Sequence, residues 1–321
     1  LMAQYATIRP DVDAAVRVRD SIGWRIITDR TQMNGLTAEW SRLADRCPAC
    51  LFVTPEWVQA WLATIGQEVE PRVVAAWEQN PGEPDARLVA IWPLGLRQVR
   101  RAAMRLRLLE PMGETLASGD RLDPLTAVAR IEHELIAQVR RVAQAECDLI
   151  HWGEVSNHGP LADALAGETA GNMSRTMHTR VLPLADLPAS YEEFTARLGK
   201  KLRGHVRRQE QISRQQHGLC WRLNDEGSSL ASAVQAFAEL HQQCWQHRGK
   251  NGNLAETRFR AFVERFAESA SRRGWLRLHR LCDGPRTVAA LLAFHHHGRA
   301  YYYQSGWDPA IAKLSPGSLC V

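Results

Sequence analysis

Trp275-Leu276-Arg277-Leu278-His279-Arg280-Leu281-Cys282, Thr287-Val288-Ala289-Ala290-Leu291-Leu292-Ala293-Phe294 and Ala300-Tyr301-Tyr302-Tyr303-Gln304-Ser305-Gly306-Trp307 are three β-like runs in close succession. Asp283-Gly284-Pro285-Arg286 reads as the first turn between them, and Gly298 marks the second. The middle run is nearly all apolar, as a central strand covered on both faces should be. The spacing therefore predicts an antiparallel meander. After it come Gly306-Trp307-Asp308-Pro309 and then Leu314-Ser315-Pro316-Gly317-Ser318-Leu319. Ser315 can cap a helix and Pro316 suits its first position. Gly317 has no side chain to block an approaching ligand. Free N–H groups and the positive helix end make such a turn a diphosphate cradle. The same residues are equally compatible with a plain capped helix after a strand.

Upstream, Phe259, Phe262, Val263 and Phe266 repeat at helical spacing, as do Leu230, Val234, Phe237, Leu240, His241 and Cys244. Leu219 to Leu223 is strand-like. Before it, one long helix is expected, with an apolar stripe of Tyr191, Phe194, Leu198, Leu202 and Val206 and a stop at Gly218. Lys200, Arg203, Arg207 and Arg214 fall on one side of it. From Arg197 to Arg222 the only acid is Glu210, and the Arg97 to Arg107 stretch is equally basic. Such patches attract phosphates. A solvated charged face, an anionic ligand and nucleic acid are the three readings of the basic helix. No aromatic side chain is interleaved with its charges, which speaks against single-stranded nucleic acid.

Leu182-Pro183-Leu184-Ala185-Asp186-Leu187-Pro188 reads as a linker, dividing residues 1–184 from residues 185–321. In the first part, Trp24 to Thr28 is strand-like and Leu36, Trp40 and Leu43 are helix-like. Thr54-Pro55 caps a helix running to about Ile65. Val73–Trp77 and Leu88–Trp92 make a hairpin around Asn80 to Pro84. Asp123-Pro124 starts a helix carrying Ile131, Leu135, Ile136 and Val139, and Asp148 to Trp152 is a short strand. No catalytic constellation is visible there.

The chain has 321 residues, which suits two domains of about 150 each. It is 45% hydrophobic and 23% charged, with 11 Trp, so it can build real cores. The longest apolar run, Val288 to Phe294, is too short for a bilayer, and the N-terminus has no apolar signal region. A cytoplasmic protein is expected. Seven scattered Cys fit reduced thiols, and Cys47-Pro48-Ala49-Cys50 lacks the second pair of a zinc site. On a strand only His295 and His297 of the histidine run share a face. Without a third ligand no metal is expected.

Several short motifs occur in a fixed order: Phe52-Val53-Thr54-Pro55-Glu56-Trp57 with Trp61-Leu62, Pro93-Leu94, Ser190-Tyr191 with Lys200-Lys201-Leu202-Arg203, Leu240-His241-Gln242-Gln243-Cys244-Trp245 with Arg248-Gly249, Asp283-Gly284, and Gly306-Trp307-Asp308-Pro309 with Ser315-Pro316-Gly317. The series, spanning residues 36–321, resembles the GNAT-fold acetyltransferases associated with bacterial cellulose and exopolysaccharide biosynthesis (the CelD/BcsL type). Those are related to the FemAB-type transferases with tandem GNAT-like domains. The resemblance implies an α/β fold of tandem GNAT-like domains, with mixed, largely antiparallel sheets flanked by helices. Residues 1–184 would be a degenerate copy and residues 185–321 the working one, its C-terminal end cut short just inside the cofactor helix.

It further implies acetyl-CoA or another acyl-CoA as donor and an amine or hydroxyl acceptor, a saccharide precursor among the candidates. Ser315, Pro316, Gly317 and Ser318 would hold the coenzyme. Tyr303 and His241 are the catalytic candidates, His241 as general base, although its place on an apolar helix face also fits a core histidine. Lys200, Arg203, Arg207, Gln304 and Trp307 would contact substrate. Two other readings stay open: a FemAB-like transferase using aminoacyl-tRNA, and a non-catalytic binding protein.

Overall fold

The computed structural model describes residues 22–47, 51–79, 86–128, 130–167, 181–215 and 218–320. The expected turn at Asn80 to Pro84 and most of the Cys47–Cys50 motif lie outside them. The chain divides into two compact units, Leu1–Thr176 and Met177–Val321.

In the first unit the elements run β1 (Ile22–Ile27), α1 (Arg30–Gly35), α2 (Thr37–Arg46), α3 (Pro55–Thr64), β2 (Glu70–Pro71), β3 (Val73–Glu78), β4 (Arg87–Trp92), β5 (Leu94–Arg101), β6 (Met104–Pro111), β7 (Leu125–Thr126), α4 (Glu132–Glu146), β8 (Leu149–Ile150) and α5 (Pro160–Gly167). They build two four-stranded sheets, ordered β1-β3-β4-β7 and β2-β5-β6-β8. Every pairing is antiparallel except β6 with β8.

The start of α3 follows its capping signal: the Thr54 hydroxyl accepts from Trp57 N, and Pro55 takes the first turn. The tryptophans explain much of this core. Trp40, Trp57, Trp61 and Trp92 are buried, and each indole N–H donates to a backbone carbonyl, of Val53, Gly113, Thr115 and Leu122 respectively. Burying the ring while satisfying the N–H is what makes a core tryptophan affordable. One expectation fails here. Asp123-Pro124 does not open a helix; α4 begins at Glu132. The Asp123 carboxylate instead accepts from the Ser156 N–H and hydroxyl, so its capping capacity serves a loop.

In the second unit the elements are α6 (Tyr191–Arg197), α7 (Lys200–Gln215), β9 (Cys220–Leu223), α8 (Leu230–His247), α9 (Thr257–Arg272), β10 (Leu276–Asp283), β11 (Arg286–His296), β12 (Arg299–Trp307) and α10 (Pro316–Leu319). The sheet order is β12-β11-β10-β9, all antiparallel. The meander forms as read from the sequence, with Gly284 and Gly298 in its turns at φ 55° and 71°.

One face of this sheet packs against α8 and α9. On the other, Leu281, Val288, Ala289 and Leu291 meet Ile212 of α7, Ile311 and Leu319. The expected single basic helix is two helices, because Leu198 adopts extended backbone at ψ 141° and ends α6. Its apolar stripe is largely in water: Tyr191, Phe194 and Leu202 are exposed.

Candidate active site

The middle strand β11 is apolar enough to be covered on both sides, and β12 lies at its edge. Their register slips between Leu292 and Ala293, which pair with Gln304 and Tyr302. Tyr303 is thus the extra residue of a β-bulge. A bulge breaks the strict alternation of a strand. Tyr303 and Gln304 both reach the helix side: the Tyr303 ring lies 6.5 Å from Phe259 of α9 and 5.9 Å from Phe294. Gln304 Oε1 lies 3.2 Å from His241 Nε2 on α8.

Two residues further on, Gly306 lets α8 come within backbone contact of β12. A methyl group on Gly306 would sit 2.2 Å from His241 N and 2.5 Å from His241 Cα. The absence of a side chain at 306 is therefore what sets His241 beside Gln304.

His241 is buried, at 1% exposure. Its Nε2 also lies 2.9 Å from Trp245 Nε1. An indole N–H only donates, so Nε2 accepts and the neutral ring carries its proton on Nδ1. Nδ1 is buried against Gly252 and has no hydrogen-bond partner among the described residues. Burial pushes the ring below the ordinary histidine pKa. The imidazole is thus neutral, as a base must be, but its one lone pair is already used.

At the end of β12, Trp307 packs against the same apolar cluster as Ile311 and Leu319, with His247 of α8 6.2 Å from its ring and Arg248 6.0 Å. Asp308 caps the following 3-10 turn (Pro309–Leu314) by accepting from Ala310 N, and it pairs with Arg286. Ser315 differs from the expected N-cap. It is left-handed, with φ 50° and ψ 48°, and its side chain makes no cap hydrogen bond. Such backbone is uncommon outside glycine and marks a tight corner. Pro316 then opens α10 as expected. Gly317 does not carry the positive φ; its backbone lies against Trp307, where an added Cβ would be 3.3 Å from Cδ1. The Ser318 side chain lies outside the described atoms.

The basic helix reaches this corner by its C-terminal end. α7 packs against the 3-10 turn and α10. Arg214 lies 4.9 Å over the Trp221 ring, whose N–H donates to Leu319 O. Lys200 and Arg207 are exposed, and Arg203 donates to Ala196 O. They stand about two to four turns back along the helix, so the structure joins His241 with Gln304 and Trp307 with Gly317, but not these cations with either pair.

Among the described residues, the His, Asp, Glu and Cys side chains close enough to share an ion are not the histidine run. They are Glu110, Glu114 and His151 of the first unit, with ligand atoms within 4.8 Å of one another. Arg97 already engages both Glu110 oxygens, at 2.5 and 3.2 Å, so this is an internal charge network. Burial raises the Glu110 carboxyl, but His151 and the closer Arg97 outweigh it and hold it below the usual carboxylate range. Glu110 in turn holds His151 above the ordinary histidine value. Nothing local in the sequence marks this cluster, because its members come from β5, β6 and the segment after β8.

No helix among the described residues is long and apolar enough to cross a membrane. No curated protein matches the chain. The solved structure of FemX aligns with 92% of this chain and 83% of its own, at a TM-score of 0.55 and 11% identity, which is a likeness of fold. Residues 200–321 match the family model described as the acetyltransferase (GNAT) domain, and with the sheets and helices above the fold is α/β with tandem GNAT-like domains.

Proposed function

We propose that this protein transfers an acyl group, acetyl in the simplest case, from acyl-CoA to an amine or hydroxyl acceptor. The observation that carries this is the acetyltransferase-domain match over residues 200–321, which spans the meander, the bulge at Tyr303 and the corner at Ser315. In this reading residues 185–321 work and residues 1–184 are a degenerate copy. In the cradle from Ser315 to Ser318, the backbone N–H groups of Gly317 and Ser318 hold the donor's diphosphate, since the Ser315 N–H donates to Ala312 O and Pro316 has none. Transfer from a thioester leaves a thiolate and frees a proton from the acceptor; in this reading the Tyr303 phenol gives its proton to the thiolate and is restored by the acceptor's. His241 serves as base only if Trp245 releases Nε2. The saccharide acceptor rests on the ordered motifs alone. The FemX-like fold favours a second reading, an aminoacyl-tRNA donor, on the same corner.

Gly317→Val tests the cradle. Its Cβ would lie 3.3 Å from Trp307 Cδ1, so the indole must give way, and the branched side chain crowds the turn proposed to hold the diphosphate. Charge-assisted bonds are worth roughly 1.5–3 kcal/mol each. Spoiling one should weaken acetyl-CoA binding at least about tenfold, since about 1.4 kcal/mol is tenfold. Calorimetry showing parent-like affinity in the variant would remove the cradle.

Lys200, Arg203 and Arg207 are proposed to steer anionic substrate. Changing Arg203 and Arg207 together to Ala should weaken binding at low salt, and the loss should shrink as salt rises. The melting curve should barely move, because exposed charges contribute only about 0–1 kcal/mol. Equal binding by variant and parent at low salt would make this a solvated face.

A further inference from the structure

On the α8 side of the second unit's sheet, away from α10, lies a cavity of about 280 Å³. Its polar lining comes from Ser228, Ser232, Gln243, Arg280, Arg286 and Thr287. Arg280 is unusual: it is 2% exposed, yet it makes no ion pair with a carboxylate among the described residues. Its Nη2 donates to Glu226 O at 2.7 Å, while Nε is buried and has no hydrogen-bond partner among the described residues. The Ser228 hydroxyl is likewise buried without a partner.

A buried charge without a counter-ion is expensive, and so is an unmade hydrogen bond. Here two such groups line one cavity. The third feature is α8 itself, 18 residues long, which begins beside the cavity at Ser229 and Leu230. Its positive end adds to the field of Arg280. Arg286 stands at the rim, paired with Asp308. Glu239 is the one carboxylate of the lining, and it accepts from Gln235 at 2.5 Å.

We propose that this cavity is a binding site for a phosphate-type oxyanion, separate from the donor cradle. Arg280 Nε and the Ser228 hydroxyl donate to the oxyanion, and the start of α8 supplies field. The central strands stand between this cavity and Gly317. The proposal does not depend on which acyl donor the protein uses.

The test is calorimetry of the whole chain with inorganic phosphate, in a buffer free of other oxyanions. One saturable site is expected. Ser228→Ala removes a hydroxyl that bonds nothing among the described residues, so the fold should be unaffected while phosphate binding weakens about fivefold, the loss of one hydrogen bond. Arg280→Met, where it folds, should abolish binding. Phosphate should bind equally in the presence of saturating acetyl-CoA. Absence of saturable binding by the parent, or parent-like binding by Ser228→Ala, overturns the site. Displacement of phosphate by acetyl-CoA overturns its separateness, whatever the Gly317→Val experiment shows.

Discussion

Replacing Gly306 by alanine is expected to destabilise the second unit by about 3 kcal/mol or more, the upper end of what overpacking costs. The added methyl group would lie 2.2 to 2.6 Å from backbone atoms of Leu240 and His241. Backbone cannot rotate aside as a side chain can, so α8 must lift from β12. That would open the contact between His241 and Gln304 and expose the apolar face carrying Phe237 and Leu240. In calorimetric unfolding the second unit's transition should fall by roughly 10 °C. A variant melting with the parent would show that the approach of helix to strand is looser than described.

The second large effect belongs to Arg97→Ala in the first unit. Glu110 is 2% exposed and would be left as a buried carboxylate with only His151, at 3.7 Å, for charge balance. Breaking a fully buried pair costs about 3–5 kcal/mol; because Arg97 is a third exposed, a loss of about 2–3 kcal/mol is expected at neutral pH.

The pH dependence identifies the cause. Glu110 has a depressed folded pKa, so its stabilisation is present above the ordinary carboxylate value near 4.5 and lost as pH falls through the folded value. His151 has a raised one, so its stabilisation is present below 6.5 and lost as pH rises through its folded value. Both are in force between those limits. In urea unfolding from pH 3 to 8, the acid-side slope should flatten in the variant. A stability change under about 0.5 kcal/mol, within the range of ordinary surface substitutions, or an unchanged slope would contradict this account.

The meander was legible because its signals are local: an apolar run for β11, a glycine in each turn, and Gly306-Trp307-Asp308-Pro309 at the end. The helix cap at Thr54 was legible in the same way. What failed depended on competition between local and distant partners. Asp123 looks like a helix cap until Ser156, 33 residues away, takes its carboxylate. Ser315 looks like one too, yet the chain turns there through left-handed backbone. The β-bulge at Tyr303 leaves no mark in composition, because it is a property of the pairing with β11. His241 was legible as a residue of interest, but the use of its lone pair depends on Trp245 one turn along and on Gly306, which brings Gln304 to it. The clusters around Glu110 and Arg280 join segments far apart in sequence, so no motif could announce them.

The central claim is an acyl-CoA donor held at the corner from Ser315 to Ser318. It is tested most directly by titrating the chain with acetyl-CoA and, in parallel, with aminoacyl-tRNA, following heat. The account predicts saturable acetyl-CoA binding that Gly317→Val weakens at least about tenfold, and no comparable binding of aminoacyl-tRNA. Saturable aminoacyl-tRNA binding with no response to acetyl-CoA would contradict it.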